Sequence, residues 1–512
     1  MKARPHSRRE RSIPHWCLAV LSASIGSMAF AQQTQIIPSV SLTETITDNV
    51  SLKRSSEAES EMITQVIPNI VATTKGGRVE GSMQAALSSA FYANDGGRNR
   101  NYLTLNGMAK VEAWEKRGFI DLSATVSREA LSALGPKSGD TVTGTANQGE
   151  VRNVVISPYL TGRFGATGKA NLRYTHSETD SSSSTLQKMQ RDAISINLAD
   201  PRAFGASGWT LAFTDSLDQT ANRRDLKTQN ARLTGLLQVD PQLVLRLVVG
   251  SESNNYRSDD VTRSTIMGVG ADLSVSPLTK FSGLWEDRFF GPGYSFTAEH
   301  RRGFLLFTGS YSKDVSTTSQ SLTGTTFFNT YDFLMAALQG QYPNETERAI
   351  QVRTYMADRQ LPERFGASQA VLSNGMFLDR RIRFGVSLTG DRNSLLFSGF
   401  RSQRNNLTDQ SFTLGGDFQQ ADRVNETGGS VTLSHRLTPL TSANVGLTLT
   451  RSHRDSTSAA ASQANRSRIF TAALITRFTP KTSGTLNFRN NRGEGLTAYT
   501  ENALIGSLSI RF

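Results

Sequence analysis

The chain has 512 residues, with 56 Lys and Arg against 44 Asp and Glu, a formal net charge of +12, 37% hydrophobic residues and one cysteine. A single cysteine excludes an internal disulfide framework and a multi-cysteine metal site. No stretch beyond the amino terminus offers 18 consecutive apolar residues, which excludes a helical membrane span.

The amino terminus reads as an export signal. Lys2, Arg4, Arg8, Arg9 and Arg11 precede an apolar run from about Trp16 to Phe30, and Ala29-Phe30-Ala31 supplies the small-x-small pattern of a signal peptidase site. Residues 1–31 are therefore expected to be removed and residues 32–512 to form one domain starting at Gln32. A retained anchor is the alternative, but the run contains Ser22, Ser24, Gly26 and Ser27 and is shorter than the ~20 residues a spanning helix needs. Cys17 lies within the signal, away from the cleavage site, so the mature chain has no cysteine and no lipid-modified amino terminus is expected. Cleavage removes those five basic residues and Glu10, leaving +8.

From Ile37 onward the chain alternates with a two-residue period, broken alternately by tight and by long connections. The tight ones carry Gly or Pro: Lys75-Gly76-Gly77, Val239-Asp240-Pro241-Gln242, Ser276-Pro277-Leu278-Thr279, Thr438-Pro439-Leu440-Thr441 and Thr479-Pro480-Lys481-Thr482. Pro suits a turn because it fixes φ and has no N–H for a central strand to use. The long, polar breaks include Ser177 to Thr185, Ser316 to Thr325 and Arg454 to Arg466, while Asn405 to Glu426 reads either as one ordered loop or as an extra hairpin. Near the carboxy terminus one face carries Val431, Leu433 and Leu437, then Ala443, Val445, Leu447 and Leu449, then Phe470, Ala472, Leu474 and Phe478, and finally Leu486 and Phe488. The last strand repeats this at Leu504, Leu508, Ile510 and the terminal Phe512, the form of an outer-membrane barrel-assembly signal; an amphipathic strand ending a soluble sheet would look similar. No helix is expected in the mature chain. The prediction is all-β: a single transmembrane antiparallel β-barrel of about 22–24 strands (range ~18–26), with short periplasmic turns and long extracellular loops.

The polar faces repeatedly carry arginine, and Arg outnumbers Lys by 44 to 12. By parity Arg173, Arg232, Arg246, Arg353, Arg383, Arg401, Arg436, Arg477 and Arg489 are expected to point into the lumen. An arginine facing lipid at the bilayer midplane would cost ~2–4 kcal/mol. Lumenal arginines would favour anionic solutes, or would pair with lumenal Asp and Glu to brace or plug the barrel. The Arg excess also suits lipopolysaccharide phosphates.

The segment Leu42-Thr43-Glu44-Thr45-Ile46-Thr47-Asp48-Asn49-Val50-Ser51-Leu52, followed by Met62 to Ile70 and the turn Gly76-Gly77-Arg78, resembles the opening of outer-membrane β-barrels associated with the PEP-CTERM/exosortase system and exopolysaccharide loci. Ile46 stands where that pattern has an aromatic and Asn69 where it has Gly. The strand–Pro–Thr–strand hairpins near the carboxy terminus resemble it too, so the likeness runs along the mature chain. The resemblance implies a Gram-negative outer membrane and a link to extracellular polysaccharide, and no catalytic residues. On residue chemistry alone, Asp48 and Asn49 suit side-chain turns at a strand end, with Glu44 expected to brace the lumenal wall.

The chain contains no G-x-S-x-G, H-E-x-x-H, P-loop or calcium-loop pattern, and His176, His300, His435 and His453 are far apart in sequence. No enzyme activity, metal or cofactor is expected, and export removes nucleic acid as a partner for the basic charge. Expected partners are outer-membrane lipid and lipopolysaccharide, the barrel-assembly machinery, acidic exopolysaccharide and periplasmic export components. Three functions follow: a barrel of a polysaccharide-export system, a general or anion-preferring porin, or a plugged structural or adhesive barrel. Loops folded inward favour the second and third; an open, Arg-lined bore favours the first.

Overall fold

The protein's structure, a computed structural model, describes residues 33–183, 186–317, 374–409, 417–420, 423–455, 463–495 and 498–512, with Leu334, Met335, Leu338, Tyr342, Arg348, Gln351, Val352, Tyr355 and Met356 between them. Ala29, Ala31, Gln32 and Arg353 lie outside the described residues.

The alternating pattern folds as a 22-stranded sheet in which chain neighbours pair antiparallel. The first strands are β1 (Gln33–Thr47), β2 (Glu61–Lys75), β3 (Val79–Tyr92), β4 (Arg100–Trp114), β5 (Gly118–Ala130), β6 (Gln148–Phe164) and β7 (Gly168–Ser181). Next come β8 (Met189–Phe204), β9 (Ser207–Thr220), β10 (Leu226–Asp240), β11 (Leu243–Asn254), β12 (Thr262–Ser276), β13 (Thr279–Arg288), β14 (Gly291–Arg302) and β15 (Leu305–Ser316). The sheet ends with β16 (Phe377–Thr389), β17 (Asn393–Asn406), β18 (Arg423–Arg436), β19 (Thr441–Asp455), β20 (Gln463–Arg477), β21 (Thr482–Gly495) and β22 (Tyr499–Arg511). Strands run from 10 residues in β13 to 17 in β6, enough to cross a bilayer at a tilt. β1 closes on β22 in the register Ser39↔Arg511 to Thr47↔Ala503, and the Phe512 N–H donates to the Pro38 carbonyl at 3.0 Å. Closure leaves no free edge, which is the condition for a sheet to exist in lipid.

Alternation sorts the side chains. Leu42, Ile46, Leu247, Met267, Val269, Leu474, Leu486, Leu504, Leu508 and Ile510 are all exposed on the outer wall. Phe204, Phe304, Phe478 and Phe512 lie beside the short turns, an aromatic girdle at one interface. This outward apolar band makes the chain an outer-membrane β-barrel; no described helix is long and apolar enough to cross a membrane. The turns at 76–78, 241–242, 277–278, 437–440 and 478–481 sit at the expected tight breaks, on the periplasmic side together with the β1 and β22 ends.

Two details differ from expectation, and a third settles an open alternative. The 289–290 connection is short although it lies on the loop side; Phe289 and Phe290 pack there against Tyr256 and Met376. Asn405 to Glu426, which the sequence leaves open between an ordered loop and an extra hairpin, adds no strand to the barrel, because β17 pairs directly with β18. The connection between β15 and β16 has helical turns at Leu334–Met335, Arg348, Gln351–Val352 and Tyr355–Met356, where no helix was expected. The signal was present as Leu334/Leu338 and Arg348/Val352/Met356 at four-residue spacing, masked by reading the region with a two-residue period.

Candidate functional site

The lumen of a barrel this wide has to be filled or left as a channel, so the inward side chains and inward connections define the site. On the wall, inward cations meet inward carboxylates. Arg173 bonds Asp121 at 2.8 Å and lies 4.0 Å over the Tyr159 ring. Arg232 reaches Glu286 at 3.0 Å, Arg246 reaches Asp272 at 3.0 Å, and Arg191 reaches Asp218 at 2.6 Å. Arg288 bridges Glu252 at 2.6 Å and Asp314 at 2.9 Å. Much of the basic lumen expected from the sequence is thus neutralised in place, the usual fate of inward charge in a confined, poorly hydrated space.

Arg383 is the contrast. It faces inward, has no carboxylate at ion-pair distance among the described residues, and its Nε and Nη2 make no hydrogen bond. It lines a cavity of about 480 Å³ with Ser282, Thr297, Thr308, Ser310 and Glu299. Arg436 and Arg477 have inward parity at the periplasmic rim, where the Arg436 guanidinium donates to the Asp391 carbonyl at 2.9 Å and the Arg477 N–H to that of Leu440 at 2.8 Å.

Arg401 does not point into the lumen. It pairs with Ile382 and Thr427 on the outer wall and is exposed. The apolar residue that takes the lumenal side here is Phe400, 5% exposed, its ring seated beside Gly428. The outer wall of β17 is instead on the parity of Phe397, which is exposed. Glu44 likewise lies outside, on the face of Leu42 and Ile46, and accepts from the Thr64 hydroxyl at 3.0 Å. Asn49 makes the expected strand-end turn, whereas Asp48 bonds across the ladder to β22 instead of closing a turn. Asp48 accepts from the Asn502 N–H at 2.7 Å; Asn49 accepts from the Lys53 N–H at 3.0 Å and donates to the Thr500 carbonyl at 3.0 Å.

The connection at 131–147 crosses the lumen from β5 to the opposite wall, held at three points. Arg489, 2% exposed, donates to Asp140 at 2.7 Å and to Glu501 of β22 at 2.6 Å. Lys137 pairs with Glu426 of β18 at 3.3 Å, and its carbonyl accepts from Tyr499 and Asn491 at 3.0 and 2.8 Å. Ser132 and the Ala133 N–H donate to Asp417 at 2.5 and 2.7 Å. Two glycines make this close fit possible. Gly144 sits at φ +59° with a Cβ position already occupied by Leu52, and a Cβ on Gly139 would lie 2.6 Å from Arg489 Cδ. Val142 completes an apolar seat against Val50, Ile63 and Tyr92.

The second inward element is the β15–β16 connection. Leu334, Leu338 and Val352 bury against the inward Leu306 and Leu396, both close to periplasmic turns, and Tyr355 hydrogen-bonds Ser394. The inward faces of β16–β18 are consequently buried, as at Ser387, Ser398, Ser402, Arg404, Ser430 and Ser434. Across the barrel, inward Gln84, Thr104, Asn106, Met108 and Lys110 remain exposed, Met108 at 60%. The filled half and the open half therefore face each other, with Lys110 lying 4.8 Å over Phe119, whose ring stacks on Tyr159 at 5.2 Å.

Sequence reasoning missed the clamp partners Asp140, Glu426 and Glu501, because the inward fold of 131–147 is written in contacts hundreds of residues apart. Its local trace is the turn chemistry of Gly135-Pro136 and Ser138-Gly139-Asp140.

Burial would raise the Asp140 pKa, but the Arg489 charge and the N–H groups of Thr143 and Val142 outweigh it and hold the carboxyl below its ordinary value of 3.8. A depressed folded-state pKa contributes stability that is complete above that ordinary value and drains as pH falls below it. Acidification from pH 7 to about 3 is therefore expected to loosen the 131–147 connection and raise channel conductance, and Asp140→Asn is expected to flatten that pH response. Planar-bilayer recordings at both pH values check this.

No family model matches the chain, and no curated protein matches it. Among solved structures, it is similar to the siderophore receptor PiuA from Acinetobacter baumannii, at 7% identity over 92% of this chain and 82% of that one, with a TM-score of 0.45. OccK2 (OpdF) from Pseudomonas aeruginosa gives 9% identity, 93% and 98% coverage and a TM-score of 0.35. The siderophore receptor PirA from the same organism gives 10%, 93% and 80%, and 0.39. Likeness at this level says nothing about what this barrel carries.

Proposed function

We propose that the protein is a channel-like outer-membrane barrel that passes small hydrophilic solutes along one side of a half-filled lumen. The observation that carries this reading is the asymmetry between the filled inner wall of β16–β18 and the exposed inward strip Gln84, Thr104, Asn106 and Lys110. A bore narrowed by two inward connections suits a small solute better than a polymer in transit. The resemblance of the amino-terminal segment supports a place for this channel in a polysaccharide-linked surface system, serving it with small solutes rather than conducting the chain.

Lys110 is the exposed cation on the open strip, with the exposed Glu80 directly opposite it on β3 and Asp121 opposite it on β5, so this group of charges is where the lumen would set charge preference. Single-channel recording of the refolded mature protein is expected to give a small, defined conductance. Lys110→Glu is expected to shift the reversal potential toward cation preference without changing heat-modifiability. Block by an acidic polysaccharide added on the periplasmic side supports the surface-system role. A folded, heat-modifiable barrel with no conductance sinks the channel reading and leaves a plugged scaffold.

A further inference from the structure

Arg401 is not an isolated exception on the outer wall. In the rows immediately on the extracellular side of the apolar band, it is joined by Arg451, Arg466, Arg468 and Arg492, all exposed and on the outward parity of β17 to β21. The ladder places Arg451 directly opposite Arg466, and Arg468 directly opposite Arg492. Like charges in directly opposed cross-strand positions destabilise a sheet. The acid in these rows among the described residues is Glu494, directly opposite Arg466 on its other side and 3.3 Å from Arg492. Arg401, Arg451, Arg466 and Arg468 have no carboxylate partner among the described residues.

The arginines are also not spread on a flat wall. Arg451, Arg466, Arg468 and Arg492, with Glu494 among them, rim a cavity of about 420 Å³ whose floor is Thr427, Gly429 and Leu449, where the absent side chain of Gly429 leaves the depression. Just below, toward the membrane centre, the same strands present Leu449, Leu474, Leu486 and Phe488 to the outside. A basic hollow directly above an acyl-facing surface has the two halves needed for a phosphorylated lipid: guanidinium forks for the phosphate oxygens and an apolar wall for the chains. A free anion would use only the first. At this depth, unlike at the midplane, an outward arginine costs only about 0–1 kcal/mol, so the belt is tolerable in the membrane but gains nothing from lipid tails alone.

We propose that this hollow binds the phosphorylated headgroup of an outer-leaflet glycolipid of the lipid A type, one phosphate drawing the Arg451/Arg466 pair together and a second the Arg468/Arg492 pair. The bound headgroup relieves both repulsions and fixes the barrel's height and rotation in the leaflet. The site lies on the outer wall and is independent of the lumen and of what passes through it.

The test uses the full mature barrel, refolded in detergent micelles doped with bis-phosphorylated lipid A, with retained lipid read by native mass spectrometry. The wild type is expected to retain one glycolipid. The triple variant R451S/R466S/R468S is expected to retain it about tenfold less well, the scale of losing one or two charge-assisted hydrogen bonds. The triple lysine variant keeps the charge without the fork and is expected to fall between the two. Heat-modifiability and conductance, both set elsewhere, serve as the folding controls. Equal retention by wild type and serine variant, or equal retention of phosphorylated and dephosphorylated lipid A, overturns the proposal. So does displacement by inorganic phosphate at concentrations matching the lipid's, which would make the hollow a simple anion site.

Discussion

Replacing Arg489 by leucine is expected to release the 131–147 connection from the opposite wall and to raise single-channel conductance several-fold. The guanidinium is shared between Asp140 on the connection and Glu501 on β22, and Glu501 is 0% exposed. Breaking a buried ion pair by removing one partner leaves an uncompensated charge and costs about 3–5 kcal/mol. The barrel itself is closed by backbone ladders that do not depend on this contact, so the loss falls on the docked connection. Hydrogen exchange should show it as lost protection at 131–147 with β1, β21 and β22 unchanged. Adding Glu501→Gln to Arg489→Leu should recover part of the loss, because the orphaned carboxylate is then gone. If R489L leaves both conductance and exchange unaltered, the connection is held by the Lys137–Glu426 and Asp417 contacts and Arg489 is no clamp.

How much of this could be read from the sequence follows from what is local. The strands, their faces and the closing strand at Leu504 to Phe512 are set by a two-residue period and by Pro or Gly turns, all visible within a dozen residues. The same rule put Arg173, Arg232, Arg246, Arg383 and Arg489 on the inward face. It failed at Arg401 because parity needs one fixed reference per strand, and β17 carries aromatics of both parities, Phe397 exposed on the outer wall with Arg401 and Phe400 buried inward. It also failed in kind for the lumen. Whether an inward arginine is paired depends on an acid two or three strands away, as with Arg232 and Glu286, or hundreds of residues away, as with Arg489 and Asp140. Charge counting over the whole chain gave a basic total, yet the positive charge left unpaired is concentrated partly outside, between β17 and β21, where only the three-dimensional register brings Arg451 to Arg466.

The β15–β16 connection carries the second large expected effect. Val352 is 0% exposed and packs with Leu334, Leu338, Leu306 and Leu396 near the periplasmic end of the lumen. Val352→Ala removes part of that burial and should weaken docking by no more than about 1.5–3 kcal/mol, the worth of fully burying such a side chain. Val352→Asp places a carboxylate among aliphatic groups with no partner and costs several kcal/mol, enough to expel the element. Because Leu306 and Leu396 belong to strands held by their own ladders, the barrel should still refold and remain heat-modifiable. Conductance should then rise well above that of the alanine variant, and trypsin should cut after Arg348, which is 9% exposed in the docked state. Arg489→Leu and Val352→Asp act on separate elements that share no contact among the described residues, so their effects on conductance should combine. A barrel in which Val352→Asp opens the bore while Arg489→Leu does not would assign the constriction to the β15–β16 connection alone, leaving 131–147 as a brace of the opposite wall.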